Sequence, residues 1–141
     1  MSEANKQVVR DCWGAANRHD VSELGRYYAE NVVYHGNDGE VRGRDAVKAY
    51  LSAYMTALPD LKLTVEDLFG EGDRVFSRTR LEGTNTGAFR EIPPTGKRLD
   101  LRWVMNVARL DGGKIVEEWE ICDQMDILSQ LGLMEASPAG A

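Results

Sequence analysis

Three groups of side chains have types and spacings that could do chemistry with no metal or coenzyme. The first centres on Asp123. Alternation along 114–123 sets Ile115, Glu117, Trp119, Ile121 and Asp123 on one face, and Val116, Glu118, Glu120 and Cys122 on the other. If the face carrying Trp119 and Ile121 is the apolar, concave one, Asp123 follows it out of water. Lost hydration disfavours the charged carboxylate and raises its pKa toward neutrality, the condition for a general base that can return its proton as an acid. Asp123 also directly precedes Gln124 and Met125, the position of a helix-capping carboxylate, and both roles stay open. The second candidate is His35, which ends a short strand. It could donate to a substrate oxygen or share a proton with Asp123, or it could be a satisfied structural histidine. The third group is aromatic: Trp13, Tyr50, Tyr54, Trp103 and Trp119 fall on predicted inward faces. They could line a pocket for a flat apolar ligand, with tyrosine hydroxyls as handles, or simply pack the core.

Other chemistries find no support. Two histidines and two cysteines, none at metal-ligand spacing, argue against a metal site. Pro94-Thr95-Gly96-Lys97 has Glu91 and Arg98 where a phosphate loop requires Gly and Ser or Thr. Gly36, Gly39 and Gly43 do not form a dinucleotide fingerprint, and no serine sits in a nucleophile elbow. Seventeen Lys and Arg against 23 Asp and Glu leave a net charge of -6, which disfavours a nucleic-acid partner. No apolar run approaches the ~20 residues of a membrane span, and residues 1–6 lack an apolar signal core. The expectation is a cytoplasmic protein with no membrane partner and with Cys12 and Cys122 reduced.

The elements that must position these groups read as α+β. A chain of 141 residues suits one domain, predicted over 1–136, with 137–141 as a flexible tail. Val8, Val9, Cys12, Trp13 and Ala16 form the stripe of a first helix. Asp20 and Glu23 make a capping box for a short second helix. Val47, Tyr50, Leu51, Tyr54, Met55 and Leu58 share one face of a third, which Pro59 ends. Val32–His35 read as a strand closed by the 36–39 turn, and 61–69, 74–84, 99–110 and 114–122 as a meander of strands. A last helix carries Met125, Leu128 and Leu131. Helices first and antiparallel strands after predict helices packed on one face of a curved sheet. Between Arg74 and Arg109 eight basic residues face three acidic ones. Arg78 and Arg80 are expected to pair with Glu118 and Glu120 across an outer sheet face, or else to polarise a substrate carbonyl.

Taken in order, five pieces of the chain resemble the SnoaL-like polyketide cyclases, also called ester cyclases. They are Asn31-Val32-Val33-Tyr34-His35, Gly43-Arg44-Asp45-Ala46, the loop from Gly83-Thr84-Asn85-Thr86-Gly87 to Pro93-Pro94-Thr95-Gly96, the run from Gly113 through Trp119 to Asp123, and Gln130-Leu131-Gly132. The resemblance implies a cone-shaped α+β barrel, with N-terminal helices on a strongly curved, mostly antiparallel sheet. It implies acid–base chemistry without a cofactor on a small apolar or aromatic carbonyl substrate, in a homodimer or homotetramer. It also implies that Asp123 abstracts a proton for an intramolecular aldol ring closure, with His35 beside it; the mechanism expected on these residues has His35, with a tyrosine or Asn85, stabilise the enolate oxygen. Asn85 stands where many relatives carry histidine. Other chemistries on this barrel are ketone isomerisation and epoxide hydrolysis, the latter using an Asp-Arg-Asp set where this chain reads Arg78-Thr79-Arg80. A non-catalytic ligand-binding module is the remaining alternative.

Overall fold

The computed structural model describes residues 2–134; the predicted tail at 137–141 lies outside them. Helices α1 (Ser2–Asn17) and α2 (Val21–Gly25) lead into strands β1 (Tyr28–Gly36) and β2 (Gly39–Arg42). Helix α3 (Arg44–Ala57) then precedes β3 (Lys62–Glu71), β4 (Arg74–Thr84), β5 (Arg98–Asp111), β6 (Lys114–Cys122) and α4 (Gln124–Gln130). The six strands form one sheet in the order β2-β1-β6-β5-β4-β3. Only the β1–β6 pair is parallel. The predicted α+β class and helix-on-sheet layering hold; β2, four residues with no periodic signal, is the element that sequence reasoning missed.

Local chemistry fixes the helix starts. Asp20 accepts from the Glu23 backbone N–H at 3.0 Å, the capping interaction expected of that pair. The helices bury Val9, Cys12, Leu24 and Val47 against the concave face of the sheet, whose inward residues include Val32, Val75, Leu101 and Ile115. Both cysteines are free thiols, Cys12 buried and Cys122 half-buried. No described helix is long and apolar enough to cross a membrane.

Two irregularities in the long hairpin decide which side chains face inward. Leu110 pairs with Ile115 but Arg109 pairs with Glu117, leaving Val116 as an extra residue in β6. In β5, Leu101 pairs with Leu81 and Val104 with Thr79, so 102–103 oppose Arg80 alone. Each bulge adds one residue and inverts the alternation beyond it. Ile115 and Leu101 therefore point inward with odd numbers, whereas Glu118, Glu120, Cys122, Val104 and Asn106 point inward with even ones.

Candidate active site

Between helices and sheet lies a cavity of about 260 Å³. Its wall is largely apolar, including Val9, Leu24, Met55, Leu101 and Leu131, and it takes aromatic rings from Trp13, Tyr28, Tyr34, Tyr50, Tyr54 and Phe89. Among the described residues its carboxylic acids are Glu118 and Glu120 on β6 and Asp38 in the β1–β2 turn, and no described Lys, Arg or His lines it. Asn37 and Asp38 are exposed as well as lining, so the cavity opens to solvent beside that turn.

The two glutamates form its polar centre. Glu118, 5% exposed, accepts from the Tyr28 hydroxyl at 2.8 Å and from the Asn106 amide at 3.0 Å. The same Asn106 nitrogen donates to Glu120 at 3.2 Å, and the Tyr34 hydroxyl donates to the other Glu120 oxygen. A primary amide has two hydrogens, and Asn106 gives one to each carboxyl group. Burial, reinforced by the charge of Glu120, pushes Glu118 up to about 7, against the opposing pull of Tyr28 and Asn106. Burial raises Glu120 too, opposed by Tyr34 and Asn106. Like charges this close in an apolar wall do not both ionise readily, so near neutrality the pair holds a proton that it can exchange. Burial also lifts the Tyr28 and Tyr34 phenols well above their usual value, which keeps both as neutral donors.

The bulges also move the residues singled out from sequence. Asp123 is not in the cavity wall: it is exposed and caps α4, its Oδ1 accepting from the Asp126 backbone N–H at 3.0 Å. Alternation carried from Ile115 straight through Val116 brought Asp123, Trp119 and Ile121 inward, and the extra residue turns that face outward. Trp103 is displaced in the same way by the β5 bulge and is 61% exposed. His35 follows the inward Tyr34 and so faces outward, stacked on Trp119 with ring centroids 5.4 Å apart and 2.8 Å from a Glu117 oxygen. Asp123 and His35 are therefore not brought together on the concave side. Trp13, Tyr50 and Tyr54 do line the cavity, with the Trp13 indole donating to Ser77 at 3.1 Å. Asn85 lines it as well, but its polar atoms are committed to the 84–97 loop. Its nitrogen donates to the Ala57 and Gly87 carbonyls, and its oxygen accepts from the Thr95 backbone N–H and hydroxyl. Arg80 pairs with Asp100 at 2.6 Å and Arg78 lies 3.9 Å from Glu66, so the outer-face arginines have partners other than Glu118 and Glu120.

Sequence reasoning missed Glu118, Glu120, Asn106, Tyr28, Tyr34 and Asp38. A regular ladder counted from the 111–114 turn would set Asn106 opposite Trp119; the bulge sets it opposite Glu120. The available signal was compositional: a strand carrying Glu117, Glu118 and Glu120 has more acids than one solvated face needs.

The SnoaL-like polyketide cyclase family model matches residues 5–131. The chain belongs to this family. Among solved structures it is similar to AclR of Streptomyces galilaeus, ascribed a hydroxylase function. That pair has 30% identity and a TM-score of 0.84, over 98% of this chain and 87% of the other. It is also similar to IdmH of Streptomyces antibioticus, ascribed a polyketide cyclase function, at 28% identity and a TM-score of 0.77, over 91% of this chain and 98% of the other. An epoxide hydrolase of M. tuberculosis shares the fold at 15% identity and a TM-score of 0.73, over 94% of this chain and 92% of the other. No curated protein matches the chain in sequence. The cone-shaped barrel expected from the resemblance is the fold of this family member.

Proposed function

We propose that this family member is an acid–base enzyme that removes a proton next to a carbonyl of a small apolar or aromatic compound and closes a ring by intramolecular aldol condensation. The observation that carries the reading is the pair of buried Glu118 and half-buried Glu120, joined by Asn106 and facing an apolar cavity. A base with a pKa near the working pH, held where water is scarce, can both accept a carbon-bound proton and give it back. The role expected of Asp123 passes in this proposal to the glutamates, which stand on the cavity side of the sheet where Asp123 and His35 do not.

The test is ring closure of 2-(3-oxobutyl)-1-tetralone, a flat apolar 1,5-diketone, by the purified protein and by Glu118→Gln and Glu120→Gln. Turnover by the wild type and its loss in both variants supports the reading. Tight binding of the diketone without turnover favours the non-catalytic module instead.

The assembly proposed is a dimer of this chain through the outer sheet face. Phe69, Trp103 and Ile121 are 56%, 61% and 65% exposed there, a larger apolar surface than scattered exposure explains. Glu40 and Glu117 lie toward the β2–β1 side of this face and Arg74 and Arg78 toward β4. A copy rotated by a two-fold axis would set acidic side against basic side.

A further inference from the structure

The cavity has a second polar end, remote from the glutamates in sequence and built on α3. Tyr50 and Tyr54, four residues apart, present their hydroxyls on one helix face, 3.3 Å from each other. The Tyr50 hydroxyl donates to Asp38 Oδ1 at 3.3 Å. Asp38 is held there by its neighbour: the Asn37 side chain accepts from the Cys122 backbone N–H at 3.2 Å and donates to the Cys122 carbonyl, which ties the β1–β2 turn to the end of β6. A hydroxyl has one hydrogen, and Tyr50 gives its own to Asp38. Its oxygen can therefore only accept from Tyr54, and the Tyr54 hydrogen is the one that a ligand can take over. A single ring separates the two ends. Tyr34 donates to Glu120 through its hydroxyl and packs against Tyr50 with centroids 5.3 Å apart.

We infer that Tyr54 donates to a second carbonyl of the substrate, the one that receives the new bond, with Tyr50 and Asp38 positioning its hydroxyl. This rests on the proton-abstraction reading above and adds to it a substrate class: an apolar compound with two carbonyl groups about one aromatic ring apart. The step balances within the cavity. The hydrogen on carbon leaves as a proton to the glutamate pair, and its electron pair forms the carbon–carbon bond at the acceptor carbonyl carbon. The π pair of that carbonyl becomes an alkoxide, which takes the Tyr54 proton. Water at the mouth restores the Tyr54 proton by way of Tyr50, the glutamates release theirs, and the product is an isomer of the substrate.

Two probes separate the ends. Exchange of the methyl hydrogens of 4-phenylbutan-2-one with deuterated water needs the glutamates and one carbonyl; ring closure of 2-(3-oxobutyl)-1-tetralone, in which the side-chain methyl loses the proton and the tetralone carbonyl accepts the new bond, needs both ends. Tyr54→Phe should lower closure about 100-fold and exchange less than tenfold. Tyr50→Phe should lower kcat for closure about tenfold with KM little moved, as expected of a positioning residue. Equal loss of exchange and closure in Tyr54→Phe, or loss of neither, overturns the assignment. A wild-type protein that exchanges 4-phenylbutan-2-one but closes the diketone no faster with Tyr54 than without it also overturns it. Absence of exchange in the wild type would instead count against proton abstraction itself.

Discussion

Glu118 and Glu120 stand two residues apart on β6 and are bridged by one amide, that of Asn106 on the neighbouring strand. A pair so joined titrates as a unit. The apparent pKa of the rate should lie near that of Glu118, pushed up to about 7 by burial and by the charge of Glu120. In Glu120→Gln that charge is gone, so the rising limb of kcat/KM against pH for any residual turnover should move to lower pH. Glu118→Gln should cost 10²–10⁴ in kcat, the usual range for a removed general base. A limb that stays in place in Glu120→Gln would mean that the two carboxyl groups do not sense each other.

The same residue sets a pH dependence of stability. The fold raises the Glu118 carboxyl above its ordinary 4.5, so the folded chain holds that proton more tightly than the unfolded one. This contribution is fully present below pH 4.5 and is lost as pH climbs through about 7, on the order of 3 kcal/mol in all. Glutamine mimics the protonated form. Melting curves of Glu118→Gln and wild type should coincide near pH 4.5 and separate above pH 7, with the variant the more stable. A wild type that remains the more stable at pH 8 would show that ionised Glu118 is not penalised in the fold.

The 84–97 loop depends on two small side chains. A Cβ on Gly87 would lie 1.8 Å from the Thr56 carbonyl oxygen, a backbone atom that cannot yield without moving the end of α3. Gly87→Ala should lower stability by about 1–3 kcal/mol, as overpacked sites do. Asn85→Ala strands the Gly87 carbonyl and the Thr95 N–H that the amide now satisfies, while the Ala57 carbonyl keeps the Gly87 N–H, at about 1–3 kcal/mol for each stranded group that water does not reach. Urea unfolding read at Trp13, in the cavity wall, checks both.

Most elements were legible because their signals are local. The capping box at Asp20, the α3 stripe ended by Pro59, and the 111–114 hairpin each declare themselves within a few residues. The site was less legible, because its composition depends on strand parity, and parity is inverted by bulges at Val116 and at 102–103 that leave no mark on periodicity. Tyr50, Tyr54 and Trp13, whose predicted facing did not pass through either bulge, were placed on the cavity correctly. Trp103, within one bulge, and Trp119 and Asp123, beyond the other, came out on the opposite side. His35 was expected inward with Val33, but the buried residues of β1 are Tyr28, Val32 and Tyr34, which sets His35 on the other face.

The outer face offers a test independent of catalysis. Trp103→Glu places a charge on the exposed apolar outer face without touching the cavity wall. Light scattering after gel filtration should find a dimer or larger assembly for the wild type and a monomer for the variant, with turnover per chain little altered. A wild-type monomer at micromolar concentration would remove the proposed assembly.

Asp123 separates a capping role from a chemical one, because asparagine caps helices about as well as aspartate but cannot take a proton. Its carboxylate holds the first turn of α4, whose Ile127, Leu128 and following Leu131 help to close the cavity. Asp123→Ala should cost about 1 kcal/mol, a fall of roughly 2–4 °C in Tm for a domain near this size. Asp123→Asn should melt with the wild type. If the glutamates are the base, Asp123→Asn also turns over the diketone at close to the wild-type rate, while Glu118→Gln does not. The reverse pattern, with turnover lost in a fully folded Asp123→Asn and kept in Glu118→Gln, would return the proton abstraction to Asp123. It would also require α4 to unwind in the working enzyme, since the capped carboxylate faces solvent.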